Sequence, residues 1–127
     1  MKDTKIIFFG TPSFAVPALK QLHAAGYIIS AVVTAPDKPV GRKAVLTPSP
    51  VRVLAKDLGI PVQTPASLKS EEFEKLFLEI RPDLCVVVAY GKLIPEKLLA
   101  APRLGFVNIH PSLLPAYRGP SPIQSAI

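Results

Sequence analysis

Three short runs of this chain are apolar almost throughout: KIIFFG at residues 5–10, YIISAVVTA at 27–35 and LCVVVAYG at 84–91. A strand with no polar face must be covered on both sides, the situation of a parallel sheet between two helical layers. The intervening segments supply the cover. FAVPALKQLHAAG (14–26) carries Phe14, Leu19 and Leu22 at helical spacing, with Gly26 as a stop. PVRVLAKDLG (50–59) is a helix opened by Pro50, and IPVQTP (60–65) is a short third strand. SLKSEEFEKLFLEIR (67–81) is amphipathic, with a polar entry at Ser67 or Ser70 and Pro82 just past its end. IPEKLLAAP (94–102) is a short helix, GFVNIHP (105–111) a fifth strand, and SPIQSAI (121–127) has the look of the first turns of another helix. PDKPVGRKAVLTPSP (36–50) is too rich in Pro and Gly for regular structure. The expected class is therefore α/β, a Rossmann-like open, mainly parallel sheet with helices on both faces. Ligands of such sheets lie outside the carboxyl ends of the strands, and here GTPSF, AYGK and NIHPS end three of them.

Several functions are excluded by what the chain lacks. GTPSFA holds one glycine where the dinucleotide fingerprint needs three. Gly91-Lys92 fails as a phosphate loop, because Val86 and Leu93 stand where a glycine and a hydroxyl residue are required. Two histidines and the single Cys85 do not make a structural zinc site, and no metal is expected. Cys85 reads as a reduced core residue and His23 as a solvated surface residue. No leader or stretch of about 20 apolar residues is present, so the expected location is cytoplasmic, without a membrane. At 127 residues, 49% hydrophobic and 19% charged, the chain is long enough to bury a core. Its net charge of +6 is compatible with a nucleic acid or a phosphorylated partner.

Asn108 and His110 lie two apart on the fifth strand, so they project to the same side. Pro111 restrains His110 to an extended backbone. An amide donor beside a group that titrates near neutrality suits a reaction in which charge develops on a carbonyl oxygen. The same pair could equally satisfy loop backbone groups. Leu113, Leu114 and Pro115 could wall a slot for a flat ligand or simply pack the loop, and Leu114–Pro115 is a candidate cis bond. Arg118 could hold an anion or the loop itself. In the 36–50 segment Lys38, Arg42 and Lys43 face one acid, Asp37. Two readings stay open there, a solvated loop and a phosphate-binding one.

FFGTPSFAVPAL, VVTAPDKPVGR, PSPVRVLAKDLGIPV, LCVVVAYGKLIPEKLL and GFVNIHPSLLPAYRGPSPIQSAI together resemble the methionyl-tRNA formyltransferase family, in order and through essentially the whole chain. SLLPxxRG alone would indicate only the wider folate-dependent formyltransferases. The resemblance implies formyl transfer from 10-formyltetrahydrofolate to the amino group of methionyl initiator tRNA. It makes Asn108 and His110 two of three catalytic residues and Ser112, Leu113, Leu114 and Pro115 a folate-contacting stretch. It further implies Tyr90 and Gly91 at the pterin pocket, Arg42 with Lys43 at the tRNA acceptor end, and Phe14 near the methionyl side chain. Pro111 and Pro120-Ser121 depart from the alanines more common in the family. The third catalytic residue of the family, an aspartate, falls beyond Ile127. On this reading residues 1–127 are the N-terminal part of a formyltransferase domain, a C-terminal β-barrel domain is absent, and these residues alone transfer little formyl. The full-length protein is expected to be a monomer. The competing expectations are a relative acting on a sugar nucleotide or glycinamide ribonucleotide, and a non-catalytic folate- or RNA-binding module.

Overall fold

The computed structural model describes residues 3–109 and the backbone of 121–122. Its strands in chain order are β1 (Lys5–Gly10), β2 (Ile28–Val33), β3 (Lys38–Val40), β4 (Val45–Thr47), β5 (Val62–Gln63), β6 (Leu84–Val88), β7 (Phe106–Ile109) and β8 (Ser121–Pro122). Helices α1 (Val16–Ala24), α2 (Pro50–Asp57), α3 (Glu71–Ile80) and α4 (Glu96–Leu99) lie between them, and a 3-10 turn at Ser13–Ala15 leads into α1. Six strands form one sheet in the order β5-β2-β1-β6-β7-β8, parallel except for the β7–β8 pair. Strands β3 and β4 form a separate antiparallel ribbon.

β1 lies mid-sheet, and its alternating side chains feed two cores. Ile7 and Phe9 join Phe73 and Phe77 of α3, Leu98 of α4 and Phe106 of β7. Ile6 and Phe8 join Leu19 of α1 and Val51 and Ala55 of α2. Helices therefore cover both faces, as the apolar runs require. The rings of Phe9, Phe77 and Phe106 meet with centroids 5.8–6.5 Å apart, within the range of favourable aromatic pairing.

Local chemistry sets the element ends. Ser70, not Ser67, caps α3 by accepting from the Phe73 N–H at 3.2 Å, and Glu71, Glu72 and Glu74 crowd its positive end. The helix stops at Arg81 in the left-handed region (φ 55°), with Pro82 barring continuation. At the amino edge Asp83 staples two strands. Its carboxylate accepts from the Lys5 N–H at 2.8 Å and from Arg103 Nε at 3.1 Å. The Lys5 hydrogen bond first, and Arg103 second, hold its pKa below the ordinary carboxylate value.

The structure departs from expectation in three places. Residues 36–50 are not wholly irregular, because Lys38, Pro39 and Val40 pair with Thr47, Leu46 and Val45. Proline is tolerated on so short a ribbon, where its missing N–H faces no inner strand. Ser121 and Pro122, expected to begin a helix, instead extend along Asn108 and Val107 as an antiparallel edge strand. Residues 123–127 of that expected helix lie outside the described residues. The fourth strand ends at Val88 rather than Gly91, because Ala89 turns to φ 53°.

Gly10 closes β1 where no side chain fits. A Cβ there would stand 2.8 Å from the Phe8 ring and 2.9 Å from the Val88 carbonyl oxygen. Gly10→Ala should therefore cost about 1–3 kcal/mol through overpacking, read as a lowered urea midpoint with an unchanged m value.

Candidate functional site

The sheet runs outward from its middle in both directions, β1 to β2 to β5 on one side and β6 to β7 on the other. The carboxyl ends of β1 and β6 therefore flank a switch point, where an open α/β sheet leaves a crevice. Gly10 pairs with Val88 across it.

On the β6 side the backbone is strained. Ala89 sits at φ 53° and Gly91 at φ 92°, and a non-glycine residue in this region costs roughly 1 kcal/mol or more. Tyr90, between them, is buried. Its ring meets Phe9 edge-on at 5.5 Å, and among the described residues its hydroxyl has no hydrogen-bond partner. Burial pushes its pKa up to about 12. Lys92 then reaches sideways, donating to the carbonyl oxygens of Pro65 at 3.2 Å and Ala66 at 2.8 Å. This lashes the loop after β6 to the loop after β5. Leu93 beside it is 79% exposed.

On the β1–β2 side hydroxyls do the joining. Thr11 Oγ1 accepts from the Ala35 N–H at 3.2 Å, and the fully buried Thr34 hydroxyl donates to Thr11 at 3.4 Å. Thr34 Oγ1 also lies 2.7 Å from Ser49 Oγ, the cap of α2. Burying a hydroxyl without such partners would cost a few kcal/mol, so this cluster fixes the strand ends relative to α2.

The expected residues distribute as follows. Asn108 is half-buried on β7, beside Val87 of β6 and Ser121 of β8. Gly91 is exposed at the rim, and Tyr90 turns its ring inward, so what this stretch offers the crevice is chiefly backbone. Phe14 is half-exposed on the 3-10 turn following β1. Arg42 and Lys43 are exposed between β3 and β4, on the ribbon rather than in the sheet. His110, Ser112, Leu113, Leu114, Pro115 and Arg118 lie outside the described residues. His23 is exposed and Cys85 is buried, as the sequence reading has them. The Lys92 clamp and the Thr11–Thr34–Ser49 cluster were missed by sequence reasoning, although a threonine just after the first apolar run and another near the end of the second were the available signal. Among the described residues no three His, Cys, Asp or Glu side chains gather as a metal site, and no helix is long and apolar enough to cross a membrane.

Tyr90→Phe should leave the chain at least as stable near neutrality, because it removes an unpaired buried hydroxyl rather than a bond, a change worth about 1 kcal/mol. The folded pKa of Tyr90 lies above its ordinary value of 10, so below pH 10 both folded and unfolded chains keep the proton. Above it the unfolded chain ionises first, and wild-type stability falls as pH rises through about 12. Urea titrations across that range should show the variant gaining on wild type; parallel curves would count against a buried, unpaired hydroxyl.

The sequence pattern of the formyl transferase family matches residues 4–127. The chain is 51% identical over 124 residues to a methionyl-tRNA formyltransferase of Lysinibacillus sphaericus and 55% identical over 124 residues to one of Macrococcus caseolyticus. Each alignment covers 98% of this chain and 40% of the relative, so the chain spans well under half the length of these curated relatives. Among solved structures it is similar to a phosphoribosylglycinamide formyltransferase from Bacillus halodurans, with TM-score 0.62 and 27% identity, covering 91% of this chain and 60% of that one. A sugar N-formyltransferase from Shewanella shares the fold, with TM-score 0.52 and 17% identity over 88% of this chain and 41% of that one.

Proposed function

The chain belongs to the formyl transferase family, and on that premise we propose that the protein carrying it transfers a formyl group from 10-formyltetrahydrofolate to the amino group of methionyl initiator tRNA. The observation that carries this reading is the identity above 50% to proteins named methionyl-tRNA formyltransferase over nearly the whole chain. Similarity to the glycinamide ribonucleotide enzyme is 27%. A cytoplasmic, monomeric protein belongs to the same proposal.

In the proposed reaction the amine nitrogen attacks the formyl carbon and the carbonyl electron pair moves to oxygen. The Asn108 amide donates to that developing oxyanion, which a preorganised donor stabilises far more than water does. His110, two positions further along the sequence, takes the proton released by the attacking nitrogen and passes it to the folate nitrogen as the old carbon–nitrogen bond breaks. Ser112, Leu113, Leu114 and Pro115, with the Tyr90–Gly91 backbone, hold the folate. Arg42 and Lys43 meet tRNA phosphates, and Phe14 meets the methionyl side chain. The strained turn at Ala89 supports the folate assignment, since it leaves the Gly91 rim accessible beside the switch point.

The test is transfer of labelled formyl to methionyl initiator tRNA, glycinamide ribonucleotide and an amino-sugar nucleotide offered separately to the purified protein. Transfer to the tRNA alone is expected, whereas transfer to either small acceptor in preference would reject the proposal. Folate binding without transfer to any acceptor would favour the binding-module alternative. Asn108→Ala should lower kcat about 10²–10³-fold, the loss seen when one oxyanion donor is removed.

Arg42→Ala should weaken use of the tRNA with no change in folate KM, and should reduce the slope of log affinity against log salt by about one. Equal loss toward both substrates would show that Arg42 is not a tRNA contact.

A further inference from the structure

Asp37 is the one acid between Pro36 and Pro50, a stretch that otherwise carries Lys38, Arg42 and Lys43. A segment meeting a polyanion would gain affinity by losing that carboxylate. The structure shows where it is engaged. Asp37 Oδ1 lies 2.6 Å from Nη1 of Arg52 on α2, with the two side chains 33% and 41% exposed. Asp37 stands immediately before β3, at one root of the ribbon, and Ser49 stands just past β4, at the other. Arg52 holds both. Its guanidinium donates to Asp37, and its backbone N–H donates at 3.0 Å to Ser49 Oγ, which the buried Thr34 hydroxyl contacts from below. Between the roots the ribbon has no grip on either core, since Val40, Val45 and Leu46 are 55%, 59% and 67% exposed. Its direction is therefore set at its base.

We propose that Asp37 and Arg52 are a positioning pair that fixes the direction in which the β3–β4 ribbon presents Arg42 and Lys43 to the phosphates of the tRNA. This rests on the reading that the ribbon binds tRNA, and it extends that reading to residues that touch no phosphate. A bidentate-capable guanidinium held at its backbone as well as its tip gives one orientation, where a free two-stranded ribbon would sample many.

The sign of one substitution separates positioning from simple attraction. Asp37→Asn keeps the shape and raises the net positive charge by one, so charge alone predicts tighter tRNA binding. Positioning predicts weaker binding, by about threefold, as expected for a half-exposed pair. Arg52→Gln should weaken binding similarly. The reversed pair D37R/R52D, with the wild-type net charge, should restore it. Binding of methionyl initiator tRNA is measured by fluorescence anisotropy at one fixed ionic strength, with 5-formyltetrahydrofolate affinity and Tm as readouts expected to stay unchanged. An Asp37→Asn variant that binds as tightly as wild type, or more tightly, would overturn the positioning role while leaving the tRNA reading intact. Absence of tRNA binding by the wild-type protein would instead remove the reading on which the pair's role rests.

Discussion

Everything in this molecule depends on β1 having no polar face. Ile6, Ile7, Phe8 and Phe9 are all at most 1% exposed, so each successive side chain enters a different core. Burying four such side chains contributes roughly 1.5–3 kcal/mol each, an upper estimate that still makes β1 the organising strand. A strand buried on both faces can be completed only by strand neighbours on both edges and helices above and below. β2 and β6 supply the edges, and the α1–α2 and α3–α4 pairs supply the layers.

The same constraint delivers the crevice. With β1 and β6 adjacent and their connections leaving in opposite directions, the carboxyl edge must open between them. Gly10 then serves two ends, admitting the Val88 carbonyl and the 3-10 turn against β1 while contributing no side chain of its own. The turn at Ala89 follows from the packing of Tyr90: its ring completes the aromatic cluster around Phe9, and the backbone on either side takes up the distortion. Core stability and site geometry are thus linked through one residue.

How much of this was legible depended on range. The strands were visible because short apolar runs bounded by Gly and Pro have few other uses. The α3 boundaries were visible as a choice between Ser67 and Ser70, and Ser70 prevailed because the three glutamates that follow it complement the helix end. The ribbon was not visible. Its strands are three residues each and exposed, and β3 contains a proline, so neither periodicity nor composition marks them. Its existence follows from a tight turn, with the Ala44 N–H donating to the Gly41 carbonyl at 3.1 Å, and from anchors at Asp37 and Ser49 that lie fifteen residues from their partners Arg52 and Thr34.

By itself, then, the sequence determined the α/β class and the order of its main strands and helices, because each rests on local periodicity or on burial that a single segment expresses. Tertiary structure alone decided that Tyr90 turns inward, that Lys92 clamps a neighbouring loop, that residues 121–122 pair as an edge strand, and that Asp37 faces Arg52 rather than solvent. Those are long-range choices, made by which backbone carbonyl, ring or guanidinium happens to be brought within reach when both faces of β1 are covered.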